Sequence, residues 1–478
     1  MSKRLLSVAT ALISASVLTL AAATAGASSE ADSDGPDRAE LEAALKAWTN
    51  GEPAELAKLP DDARGDLARG ANLWPTWGEL EMLEGFVDGG NASRDSDVLE
   101  IVWHGPQTQE LEDVRQRAAD RGLVTTLIEA RFDKATLEKA VLDVAAALET
   151  AKINYDGVGP KWPYAGLKID LPLYDAEAST LIEAKSVAER AMPGIPIEVV
   201  PYDTGWKPGE KMNIGTATSR QNDTGSVDAG STTRNNHVAT NGNPCTTGLN
   251  FTRPGNPNYQ LQAAHCTQFV NNVPIETWAG GLNLGISRGV QIFWGTGVDS
   301  VGPRLDAGLI ELDNPPRAVS TSVFVGSATT STKSAVAATS SIPYNQGLCV
   351  SGGSSGFHCQ AERNSEQVLR CIELTAAGAC VRHANIVAIT STNPNQVVIA
   401  QGDSGGPVFW YTNTGGLTIT SIVEGFRNGF TCSSSQSFFW NFTDDGVFCT
   451  ITGGRVTALS SIGNALAGLG FDSATTSG

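Results

Sequence analysis

The sequence predicts an α+β region followed by an all-β region. Three observations carry that prediction. Strand-like and helix-like patterns alternate between residues 37 and 201. Beyond about Lys211, short β-branched runs are separated by Gly, Pro and Asn clusters, the mark of all-β structure. All eight cysteines lie in this second region, from Cys245 onward. A chain of 478 residues is also too long for one core, so two or three domains are expected.

The chain begins with Lys3 and Arg4, an apolar stretch from Leu5 to Ala23, and the small residues Ala25-Gly26-Ala27. That order predicts a secretory signal over 1–27 and a secreted product. The alternative is an uncleaved membrane anchor. No other apolar run is long enough to span a bilayer, so no membrane partner is expected after the signal is removed. In the region 28–210, Val98 to Trp103 reads as a strand, Glu110 to Arg121 as a helix, and Leu123 to Ile128 as a second strand. Residues 134–152 place Leu137, Val141, Val144 and Leu148 on one helical face. Leu167, Ile169 and Leu171 alternate with polar residues, as a half-buried strand does. A helix from about Glu177 to Arg190 follows, then a strand with Ile197 and Val199 inward. This alternation predicts small α+β units, each a sheet with helices on one face.

The stretch 212–244 is rich in Gly, Ser, Thr and Asn and reads as an exposed linker. A second polar stretch, Ser327 to Ser341, divides the all-β region into modules of about 245–320 and 340–455. The tail from Val456 to Leu469 reads as a helix packing Leu459, Leu466 and Leu469 on the second module.

The net charge of −18 is uneven. Residues 30–210 hold 36 acidic and 18 basic side chains, whereas the chain from Lys211 onward holds 15 and 13. So acidic a first half argues against a nucleic-acid partner. An even number of cysteines in an exported chain reads as disulfides. There is no Cys-x-x-Cys, and the five histidines show no ligand spacing, so no metal and no cofactor are expected.

A serine hydroxyl needs a base, a group that orients the base, and donors for an oxyanion. Ser404 lies in Gly402-Asp403-Ser404-Gly405-Gly406-Pro407, where glycines allow a tight turn and close approach of a carbonyl. His265 lies in Ala263-Ala264-His265-Cys266, and Cys266 can fix that loop covalently, with Cys245 the expected partner. Asp306 stands at the start of an apolar strand, Leu305 to Leu312, placed to be buried and to hold an imidazole tautomer. Asp299 and Asp313 are its rivals. Gly402-x-Ser404-x-Gly406 also fits the nucleophile elbow of α/β-hydrolases, but that fold needs a histidine after the serine. The last histidine here is His383, so the order His265, Asp306, Ser404 selects the other arrangement.

These motifs resemble the chymotrypsin/trypsin family. The segment Leu348 to Cys359 further resembles the disulfide-closed loop of the bacterial branch that includes streptogrisins and α-lytic protease. The resemblance covers about 211–478. It implies two packed six-stranded antiparallel β-barrels with the site between them. It makes His265 general base and acid, Asp306 its orienter, Ser404 the nucleophile, and the N–H groups of Gly402 and Ser404 the oxyanion hole. It implies protein or peptide substrates, a monomer, and a Cys349–Cys359 bridge. Cys371–Cys380 and Cys432–Cys449 are the remaining candidate pairs among 105 possible connectivities. Two departures bear on specificity. Val398 stands six residues before Ser404, where trypsins carry an Asp, so cleavage after Lys or Arg is not expected. The usual pocket wall is replaced within Val423 to Phe426, so Gly425 and Phe426 are candidate pocket residues.

The acidic α+β region then resembles a propeptide, and the whole chain a zymogen. Double barrels are rich in non-local contacts and fold slowly, and extracellular proteases rely on kinetic stability. A separately folding domain could template the barrels and block the cleft. A retained accessory domain is the alternative. For the whole chain, the alternatives to an endopeptidase are a binding module on the same fold and a secreted esterase. Because the base must be neutral, activity is expected to fall below about pH 6–7.

Overall fold

The computed structural model describes residues 73–458 except 74, 94–95, 97, 173–176, 203–219, 221–222, 224–226, 236–243, 252–257, 268–269, 278–282, 289–304, 313–318, 327–332, 364–367, 375–379, 392–398, 401, 412–415, 427–429, 434–447 and 452. The predicted signal over 1–27 lies outside the described residues.

The α+β region folds as two units. The first is a three-stranded sheet of β1 (Phe86–Asn91), β2 (Val98–Trp103) and β3 (Val124–Glu129), in that order. Helix α1 (Gln109–Asp120) crosses between the parallel strands β2 and β3. Thr108 caps it by accepting the Leu111 N–H at 3.2 Å, an interaction worth about 1 kcal/mol. Leu111, Val114 and Ala118, spaced as one helical stripe, are buried on the sheet. The second unit is β4 (Gly157–Lys161), β5 (Gly166–Pro172) and β6 (Ile197–Tyr202) with α2 (Lys134–Thr150) and α3 (Ala178–Ala191). Asp133 caps α2 through the Thr136 N–H at 2.7 Å. β5 is buried along nearly its whole length, not half-buried as its alternation suggested, because Asp170, on the face the alternation left polar, is buried against Arg370.

The all-β region begins earlier than the linker reading placed it. β7 (Val227–Ala229) and β8 (Thr232–Asn235) fall inside 212–244, and nearly all of their residues are buried. At three and four residues they are too short to show an apolar period, and the hydroxyls of β8 are satisfied internally: Thr232 Oγ1 donates to Gly353 O at 2.9 Å and Thr233 Oγ1 to Cys245 O at 3.3 Å. β8 joins β9 (Pro244–Phe251), β10 (Tyr259–Gln262), β11 (Pro274–Thr277), β12 (Asn283–Arg288) and β13 (Gly308–Leu312) in a closed six-stranded barrel. This barrel therefore runs from Thr232 to Leu312 rather than from 245 to 320. Its interior includes Val273, Ile275, Leu284, Ile310 and Leu312.

β14 (Val319–Phe324) and β15 (Lys333–Thr339) lead to the second barrel, so residues 333–339 of the polar stretch expected to divide the two modules are strand. Then come β16 (Gly347–Gly352), β17 (Gly356–Arg363), β18 (Val368–Leu374), β19 (Cys380–Ser391), β20 (Pro407–Tyr411), β21 (Leu417–Phe426), a separate hairpin of β22 (Phe430–Ser433) and β23 (Phe448–Ile451), and β24 (Gly453–Ala458). The path β19-β17-β16-β20-β21 is closed by β24, which pairs with both β21 and β19. Six strands thus form a second ring around Leu348, Val350, Ile389, Val408, Val423 and Val456. Val456 to Ala458 belong to this ring and not to the predicted tail helix. Residues 459–478 lie outside the described set.

The α+β region is joined edge to edge to β18, the strand that pairs with β19 of the second ring. β4 pairs antiparallel with β18, placing Val158 opposite Leu369 and Gly157 opposite Arg370. Among the described residues no helix is long and apolar enough to cross a membrane.

Candidate active site

His265 and Asp306 leave the same end of neighbouring strands. β10 and β13 pair with Gln262 opposite Gly308. Beyond Gln262 the chain enters a 3₁₀ turn, Ala264–Thr267, that carries His265; Asp306 sits two residues before β13. Asp306 is fully buried. One of its oxygens accepts the His265 backbone N–H at 2.9 Å, and the other lies 2.5 Å from Nδ1. A carboxylate there holds the proton on Nδ1 and leaves Nε2 basic. Cys266 is bonded to Cys245, which ties the turn to β9. Cys245, His265 and Cys266 are clustered closely enough to suggest a metal site, but the two sulfurs are bonded to each other and offer no thiolate.

Ser404 lies in the turn before β20. Its shape is imposed from both sides. Asp403 is fully buried and accepts the N–H groups of Ser354 and Ser355 at 3.0 Å, that of Ala400 at 2.7 Å, and the Ser355 hydroxyl at 2.5 Å. Gly402 and Gly405 have φ of 95° and 90°. A Cβ at Gly402 would come within 2.2 Å of Ser354 Oγ, and one at Gly405 within 2.1 Å of Thr246 O. Only glycine fits either place. Among the described residues the N–H groups of Gly402 and Ser404 take no protein acceptor.

Thr246, on β9 of the first barrel, stitches this turn across the interface. Its N–H donates to Ser404 O at 2.7 Å, its hydroxyl donates to Gly402 O at 2.7 Å, and it accepts the Gly353 N–H at 2.8 Å. Nothing in the local sequence pointed to it, since its partners Gly402 and Ser404 lie at least 156 residues further along the chain. The Ser404 hydroxyl donates to Glu424 O at 3.3 Å. Hydrogen bonds between nucleophile and base often tighten only when substrate is present. Glu424, also missed, is a buried carboxylate one residue beyond Val423, whose carbonyl accepts the Gly405 N–H at 2.7 Å.

The His265 pKa reflects opposing influences. Burial disfavours the imidazolium, while the Asp306 charge and hydrogen bond, with a further contribution from Glu424, push the pKa up to about 9. The side chain is still 36 % exposed, and water reaching it screens part of that field.

Cys349 and Cys359 are bonded across the β16–β17 hairpin. Cys371 is also disulfide-bonded; the side chain of Cys380 lies outside the described residues. Cys432 and Cys449 face each other in the β22–β23 register, with side chains outside the described set. Val398, Asp299, Asp313 and the Phe426 side chain lie outside it too. Gly425 is at the end of β21, with open space where a Cβ would stand.

The family described as Trypsin matches residues 227–437. Solved structures to which the chain is similar include a glutamic-acid-specific serine protease, at 17 % identity and a TM-score of 0.33 over 51 % of this chain and 98 % of that one. Thermobifida fusca Protease A follows at 15 % and 0.32, over 52 % and 99 %. Cellulomonas bogoriensis chymotrypsin gives 15 % and 0.32, over 53 % and 100 %. No curated protein matches the chain.

Proposed function

Residues 227–437 belong to the trypsin family, and from that premise we propose that the chain is a secreted serine endopeptidase acting through His265, Asp306 and Ser404. The observation that supports it most is the 2.5 Å contact between His265 Nδ1 and the buried Asp306 carboxylate, at the interface that Thr246 spans to reach Ser404. In this reading Ser404 Oγ attacks the scissile carbonyl as His265 Nε2 takes its proton. The N–H groups of Gly402 and Ser404 receive the oxyanion, and removing one such donor typically costs ~10²–10³ in turnover. His265 returns the proton to the leaving amine, which leaves an acyl-enzyme. Water then repeats the steps to release the acid. The substrates are proteins or peptides, and Val398 argues against Lys or Arg before the cut. The test is treatment with an organophosphate. A single adduct on Ser404 with loss of peptide hydrolysis supports the reading, and hydrolysis that survives a stoichiometric adduct overturns it.

The site's charge distribution gives a pH dependence. The base works only when neutral, so activity rises with pH as His265 loses its proton. Asp306 and Glu424 move that limb above the ordinary histidine value of about 6.5, toward about 9, and therefore above the limb expected from sequence. Glu424→Gln removes one of the two negative charges. It is expected to shift the acid limb of kcat/KM downward, measured on a peptide ester across pH 5–10. An unchanged limb would remove Glu424 from the account.

The region 28–210 is proposed as the propeptide of 211–478. Its contacts support a template for the second ring. Arg363 of β17 is buried against Asp88 of β1, with its Nη1 3.0 Å and its Nη2 2.5 Å from the carboxylate oxygens, and it stacks on Tyr344 at 3.9 Å. Tyr164 also donates to Asp88. Arg370 of β18 reaches Asp156 at 2.9 Å and Asp170 at 2.5 Å, the latter also 3.0 Å from Lys168. Two buried arginines of the all-β region thus each meet acid from the acidic region. Losing one member of a buried pair typically costs about 3–5 kcal/mol, because the other charge is left unpaired. Arg363→Met is expected to lower the unfolding midpoint of the uncleaved chain accordingly. A midpoint within error of wild type would deny the contact that role.

A further inference from the structure

Arg220 is a charged residue with no exposed surface, lying in the short segment that leads into the first barrel. Its carbonyl accepts the N–H of Thr232, the first residue of β8, at 2.9 Å. Its guanidinium reaches three separate parts of the fold. Nη1 donates to Gly352 O at 2.7 Å and Ser351 Oγ at 2.9 Å, at the end of β16, and to Gly230 O at 3.2 Å. Nη2 donates to Gly326 O at 3.1 Å, just beyond β14. The guanidinium also lies over the Phe324 ring, 5.4 Å from its centroid.

None of these acceptors is charged, which is an unusual setting for a buried cation. The carboxylate that does act on it is Asp403. Burial draws the guanidinium's pKa down to about 9, and Asp403 opposes that. Backbone joins the two groups. Gly352, whose carbonyl Arg220 holds, lies so close to Asp403 that a Cβ on it would be 2.0 Å from the carboxylate carbon. The next residues supply the Gly353 N–H to Thr246 and the Ser354 and Ser355 N–H groups to Asp403. Asp403 in turn stands between Gly402 and Ser404.

We propose that Arg220 is a positioning residue for the Gly402–Ser404 turn, holding the 352–355 segment against Asp403 so that the Gly402 and Ser404 N–H groups point where an oxyanion forms. Resting on the serine-protease reading, it adds a condition on maturation. Any cut that frees the protease from the acidic region falls before Arg220, because a protease lacking that residue loses the hold on Gly352.

The test uses the full chain with Arg220→Met, which keeps bulk and removes the charge, and with Arg220→Lys. Peptide hydrolysis is measured per active site titrated with an organophosphate. For Arg220→Met, kcat per titrated site is expected to fall about 10²-fold, the scale of a misplacement near 1 Å. KM should change little and Arg220→Lys should recover part of the loss. A variant with fewer titrated sites but wild-type kcat at each would show that Arg220 serves folding alone, and would overturn the proposal. Should Arg220→Met fail to accumulate, the N-terminus of the fully active wild-type product decides. A start at or before Arg220 supports the proposal, and a start after it overturns the proposal. Wild-type protein that takes no label sinks the serine-protease reading along with this one. Labelled wild type with an unaffected variant sinks this one alone.

Discussion

Ser404→Ala is expected to lower kcat by about 10⁶-fold, the loss seen when the nucleophile of a serine-histidine-aspartate constellation is removed, and to abolish uptake of an organophosphate. The variant should still fold. Among the described residues the hydroxyl makes one hydrogen bond, to Glu424 O at 3.3 Å, and a single bond of that kind contributes only about 0.5–1.5 kcal/mol. The backbone contacts that shape the turn do not involve Oγ: Thr246 holds Ser404 O, and Asp403 is held by the Ser354, Ser355 and Ala400 N–H groups. Loss of turnover with an unchanged unfolding midpoint therefore assigns the effect to chemistry. The same variant reads out maturation. If the protease cuts itself free of residues 28–210, Ser404→Ala should accumulate uncut, whereas continued cutting would require a second protease. Turnover within tenfold of wild type would end the assignment of Ser404 as nucleophile.

How much of this was legible in the sequence depended on whether the signal was local. Ser404 and His265 stand in short motifs whose neighbours explain themselves: the glycines because their backbone angles and close contacts exclude a Cβ, Cys266 because it anchors the turn. Asp306 could be chosen because an acid opening an apolar strand is placed for burial. The helices α1 and α2 were legible because their buried residues recur at helical spacing. β7 and β8 were not, because strands of three and four residues are too short for an alternation to show, and the buried Thr232 and Thr233 of β8 satisfy their hydroxyls internally. Thr246, Arg220 and Glu424 were invisible for a different reason. Each acts through partners far along the chain, Thr246 on Gly402 across 156 residues and Arg220 on Gly352 across 132, and no spacing rule anticipates such pairs. The pairing of β4 with β18 likewise shows nothing in either strand that names the other.

Asp306→Asn is expected to lower kcat by about 10⁴-fold near neutral pH. The substitution is nearly isosteric, and the Asn carbonyl can still accept the His265 backbone N–H that Asp306 Oδ1 now accepts at 2.9 Å. What changes is the atom facing Nδ1. At 2.5 Å the carboxylate can only accept there, which fixes the proton on Nδ1. An amide nitrogen can only donate, which makes Nδ1 the acceptor and puts the imidazole proton on Nε2. The ring then has no lone pair directed at Ser404, and general-base catalysis is lost although every residue of the site is in place. A second readout separates this from damage to packing. Asp306 and Glu424 together hold the His265 pKa up to about 9. With Asp306 neutral, burial acts against the imidazolium with only Glu424 to oppose it. The small remaining activity should therefore show its acid limb at lower pH than wild type. A variant that merely misfolds in part would lose amplitude and keep the wild-type limb. A decrease of less than tenfold, or an unmoved limb at any amplitude, would deny Asp306 the role of orienting His265.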